Sequence, residues 1–71
     1  MKSKFNLLDV VALLKDIPGK KLITGQVGTV VEILAPGVFE VEFCDQKGQT
    51  IASISVMEKE LLLLHYELET A

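Results

Sequence analysis

His65 and Cys44 each occur once in this 71-residue chain, and they would bring a proton shuttle and a thiol nucleophile. A histidine working as a base near neutral pH needs a nucleophile or a second acid held beside it, and no motif here sets one in place. His65 therefore reads as an imidazole on the outer side of a closing strand. A reactive thiolate needs cations or a helix N-terminus nearby, whereas Cys44 has Glu42 and Asp45 for neighbours and reads as an ordinary thiol. Gly25-Gln26-Val27-Gly28 suggests a phosphate cradle, but neither a helix nor a Lys-Ser/Thr pair follows it. These glycines read instead as backbone devices: a turn at Gly25, and at Gly28 a bend or a close approach of another strand. One cysteine and one histidine fall short of the four ligands of a zinc site. No catalytic residue, metal or cofactor is expected.

What remains is chemistry of recognition. Glu32, Glu40 and Glu42 form an acidic strip, and Asp16, Pro18, Lys20 and Lys21 lie in a long connection of the kind that carries ligand contacts. Seven lysines and no arginine stand against ten acids, a net charge of −3. Nucleic-acid binding takes most of its affinity from phosphate neutralisation and uses arginine by preference, so DNA and RNA are disfavoured as partners. Apolar residues make up 49% of the chain, too many for a disordered segment. The longest apolar run, Val10 to Leu14, is far short of the roughly 20 residues that cross a bilayer, and Asp9 and Lys15 interrupt any signal-peptide core. A soluble, cytoplasmic protein is expected, and its free cysteine suits a reducing compartment.

Such residues must be placed by strands. The spacing predicts one domain over residues 1–71, an all-β fold with five antiparallel strands in a small SH3-like barrel and one short helical or 3-10 turn before the last strand. Asp9 to Lys15 is the first strand, closed off by Pro18-Gly19, and residues 16–26 are a long loop. Val27 to Leu34 and Val38 to Cys44 follow as a hairpin. Phe39, Val41 and Phe43 must face inward, because the alternate positions hold Glu40 and Glu42. The same argument turns Val31 and Ile33 inward, pairs Ile33 with Phe39 and Val31 with Val41, and leaves Ala35-Pro36-Gly37 as a three-residue loop. It also sets Glu32 against Glu40, a destabilising opposition of like charge. After the turn Asp45 to Gly48, the fourth strand, Gln49 to Val56, points Thr50, Ala52, Ile54 and Val56 inward. Met57 to Glu60 suits a single 3-10 turn, and Leu61 to Tyr66 closes the barrel. Ile51 and one side of the Leu61 to Leu64 run are left over as apolar surface, which leaves homo-oligomerisation open.

Two resemblances follow from these runs. Gly25 to Ile33, with its Gly-x-x-Gly-Thr-Val-Val pattern, resembles the opening of KOW-type SH3-like barrels, which implies nucleic-acid or ribosome work. The blocks Asp9-Val10-Val11-Ala12-Leu13, Asp16-Ile17-Pro18 and Gly28-Thr29-Val30-Val31-Glu32, with Val38 to Phe43, Gly48-Gln49-Thr50 and Leu61 to Leu64, resemble a small bacterial and cyanobacterial family catalogued as domain of unknown function 4926. That family has no established activity. By analogy with small stand-alone bacterial proteins, the leading expectation is a non-catalytic protein-binding module, an antitoxin or immunity-type partner of a larger protein. A KOW-like nucleic-acid accessory is second, and an enzyme subunit or activator third.

Overall fold

The computed structural model describes residues 5–64. Val10–Leu13 (β1), Val27–Ala35 (β2), Val38–Cys44 (β3), Thr50–Met57 (β4) and Leu61–Leu63 (β5) form one antiparallel sheet in the order β4-β3-β2-β1-β5. Two single 3-10 turns, Pro18–Lys20 and Glu58–Glu60, complete the elements, and the second leads directly into β5 as the sequence predicts. The expected last strand continues through His65 and Tyr66, which lie outside the described residues.

The alternation of β3 holds throughout: Phe39, Val41 and Phe43 are fully buried, with Glu40 and Glu42 on the other face. Opposite them stand Gly28, Val30 and Ile33 of β2 and Ala52, Ile54 and Val56 of β4. Val11 and Leu13 of β1, Leu61 of β5 and Leu22 of the long loop join this core. So does Phe5, whose ring tilts against Phe39 with centroids 5.3 Å apart. No carboxylate, amide or hydroxyl group is buried among these residues.

Three parity expectations fail, each at a β-bulge. Val30, not Val31, opposes Val41, and the next pair is Glu32 with Glu40. Val31 is thus the extra residue of a bulge, 41% exposed, while Val30 is wholly buried. Ile33 does oppose Phe39 as expected, yet it is 48% exposed, because it lies near the end of the hairpin. A second bulge takes Leu34, so Ala35 pairs with Val38 and the loop is two residues long rather than three. With Gly37 at φ +77°, Pro36-Gly37 has the residues and the positive φ of a type II turn. Such turns splay hairpin strands, and the adjacent bulge supplies the missing twist. The third bulge is in β4: Phe43 opposes Ala52 but Cys44 opposes Thr50. Ile51 is the extra residue, and Thr50 turns outward to donate its hydroxyl to Glu42 Oε2 at 3.2 Å instead of facing the core.

Candidate functional site

The long loop between β1 and β2 is pinned at several points. Asp16 Oδ1 accepts from the backbone N–H of Thr24 at 2.7 Å and from its hydroxyl at 2.9 Å. Ile17 and Leu22 exchange backbone hydrogen bonds, and the Leu22 side chain plugs the core. At the loop's start Lys15 Nζ lies 2.9 Å from Glu60 Oε2, and the other oxygen of Glu60 accepts from the N–H of Met57. Asp16, Pro18 and Lys20 thereby come together, with Lys15, along a groove of about 610 Å³ whose lining also includes Ile54 and Ser55 of β4 and Glu60. Lys21 does not line it. Sequence reasoning missed Lys15 and Ile17 within the loop, and it missed Ile54, Ser55 and Glu60 because only the folded sheet brings β4 beside the loop. The uncharged alternation of β4 was the available signal.

Backbone donation from Thr24, then its hydroxyl, holds the Asp16 carboxyl below the usual range. Hydrogen bonding from Lys15, then the Met57 N–H, does the same for Glu60. Depressed carboxyl values mean stability that is present above the unfolded-state pKa and lost as pH falls through the folded one. The melting temperature should therefore hold steady down to about pH 5 and fall below about pH 4. Asp16→Asn should flatten that fall in a thermal melt series; an equally steep one would place the acid sensitivity elsewhere.

The acidic strip is a separate surface. Glu32 and Glu40 oppose each other across β2 and β3 as expected, and Glu42 stands opposite Thr29. Ser53 donates to Glu40 Oε2 at 2.8 Å and Thr50 to Glu42, so these two carboxylates are hydrogen-bonded by β4 hydroxyls rather than by cations. By strand parity Val38 and Met57 share this face with Glu40, and Met57 is 47% exposed. No member of the strip lines the groove.

Cys44 is half-buried and borders two smaller hollows of about 400 and 310 Å³. Asp45 lines both and Glu42 the second, while no lysine lines either. His65 lies outside the described residues. Among the described residues, no three His, Cys, Asp or Glu side chains are grouped as a metal site requires, and no helix is long and apolar enough to cross a membrane.

With the sheet order, the groove and the strip in place, comparison with known proteins places the chain in a class. The model of the family described as domain of unknown function DUF4926 matches residues 7–63, from the turn before β1 to the end of β5. The chain belongs to that family. No curated protein and no solved structure matches it.

Proposed function

We propose that this protein is a non-catalytic binding module, whose acidic outer face takes a basic surface on a larger protein partner in the manner of an antitoxin or immunity protein. The observation that carries this reading is the opposition of Glu32 and Glu40. Like charges directly across a strand pair destabilise a monomer by about 0.2–1 kcal/mol, and an incoming cation relieves them. Exposed Met57 on the same face adds apolar contact beside the charge.

Glu32→Gln combined with Glu40→Gln tests this directly. The double variant should melt slightly higher than the parent, by the cross-strand term just given. In a complex recovered from the native host, it should bind its partner more weakly and with a flatter dependence on salt. Higher stability with unchanged affinity would leave the strip as a solvated face.

A further inference from the structure

The free edge of β4 has a definite set of unused backbone groups, which the hydrogen bonds of the other strands determine. Val30 gives its N–H to Asp9 and accepts from Leu8, so it faces the β1 side of the sheet. Its neighbour Thr29 therefore faces β3, and Glu42, opposite Thr29, faces β2. Along β3 the intervening residues Phe39, Val41 and Phe43 then face β4, where Val41 opposes Ile54 and Phe43 opposes Ala52. Ile54 thus spends its N–H and C=O on β3, and the alternate residues Ser53 and Ser55 direct theirs away from the sheet. Met57 has the same parity, and its N–H does point outward, since it is bound by Glu60 Oε1.

Ser53 and Ser55 are exposed, and among the described residues no partner takes their backbone groups. Monomeric proteins guard such edges with charge, proline or short length. The opposite edge, β5, is only three residues long. β4 runs for eight, Thr50 to Met57, without a charged residue or a proline. The groove beside it reaches both Ile54 and Ser55, neighbours that point to opposite faces, so a hollow of about 610 Å³ separates the edge from the Lys15 to Lys20 segment and Glu60.

We propose that a second copy of this chain pairs with the edge, β4 antiparallel to β4, about a two-fold axis through Ile54. In that register Ser53 meets Ser55 of the second copy and Ser55 meets its Ser53. All four free backbone groups on each edge are then used in four reciprocal hydrogen bonds. Ile54 faces its own counterpart in a non-hydrogen-bonded pair, where Cα atoms approach to about 4.5 Å and side chains pack closest. Within β4 itself no charged residue meets another across the axis, and Lys15, Asp16, Lys20 and Glu60 of the neighbouring groove flank it. The two Glu40–Glu42 rows stay three strand spacings apart, about 14 Å, beyond the Debye length at physiological salt. A self-complementary edge of this kind produces a closed two-fold dimer, the commonest symmetric assembly. This proposal is independent of any heterologous partner on the acidic face.

So short an interface falls among weak ones, with a dissociation constant between about 10 μM and 1 mM. Sedimentation velocity on the intact chain across that range should show the mass rising from 7.8 kDa toward twice that value. Ser55→Pro removes an outward N–H without touching the β3 ladder, and should weaken the dimer at least about tenfold while circular dichroism stays unchanged. Should the proline variant unfold, Ser55→Lys takes its place: lysine there sits opposite Glu40, which suits the fold, but sets like charges near one another across the two-fold axis. Leu62→Lys, on the opposite edge strand, should dimerise as the parent does. A chain that stays monomeric up to about 1 mM overturns the proposal. So does a dimer that survives both Ser55 variants, or one that Leu62→Lys dissolves.

Discussion

Gly28→Val is expected to melt far below the parent, whereas Gly19→Val should melt close to it. A Cβ at Gly28 would lie 2.7 Å from Phe43 Cδ1, 2.8 Å from its Cε1 and 2.8 Å from Val41 Cγ1. Both of those side chains are fully buried and have nowhere to retreat. Gly28 faces Val11 on one side and Phe43 on the other, so the missing side chain is what lets the Phe43 ring lie over β2. Overpacking a tight core costs about 1–3 kcal/mol and sometimes more, and valine adds two methyl groups beyond the clashing Cβ. A domain of this length has on the order of 4–10 kcal/mol in total. At Gly19 nothing lies within 4 Å of the added atom, and a change within about 0.5 kcal/mol is expected. Pairing Gly28→Ala with Phe43→Leu should recover part of the loss seen in Gly28→Ala alone, because the smaller side chain vacates the contested space. Equal melting of the two valine variants would refute the close approach.

Truncation of the inner row of β3 has an expected effect at least as large. Phe39 and Phe43 are both fully buried, and Phe39 also carries Phe5 and opposes Val56. Phe→Ala at such a site costs about 3–5 kcal/mol, the lost transfer free energy plus the cavity left behind. Phe39→Ala should release the Phe5 segment as well, so hydrogen exchange should accelerate around Phe5 in this variant but not in Phe43→Ala. Parent-like thermal melts in both variants would show that the assigned core face is wrong.

The residues that misled the sequence reading and those that guided it differ in a physical way. Alternation on β3 was readable because Glu40 and Glu42 leave only one face that can be buried. On β2 a single charge, Glu32, fixed the parity from one end, and a bulge at Val31 broke the count that was carried on from it. A bulge changes the number of residues without changing their type, so composition does not reveal it. Thr50 was lost in the same way, through the extra residue Ile51. Phe5 and Leu22 were absent from the expected core because they belong to no strand. Each is buried by contacts distant in the chain: Phe5 by Phe39, and Leu22 by a loop folded back through Ile17 and Asp16. For the recognition surfaces, the acidic pairing needed only the parity of two strands and was legible. The groove needed β4 to lie beside the first loop, a juxtaposition that no local pattern encodes.

The proposed function requires the acidic face to meet a basic partner. Zero-length carbodiimide coupling joins a carboxylate to a lysine only when the two are in contact. Applied to the complex isolated from the native host and read by peptide mass spectrometry, it should link Glu32, Glu40 or Glu42 to lysines of the partner, and high salt during coupling should suppress those links. Links to the partner confined to Asp16, Glu58 or Glu60, with none from the three strip residues, would contradict the proposed function.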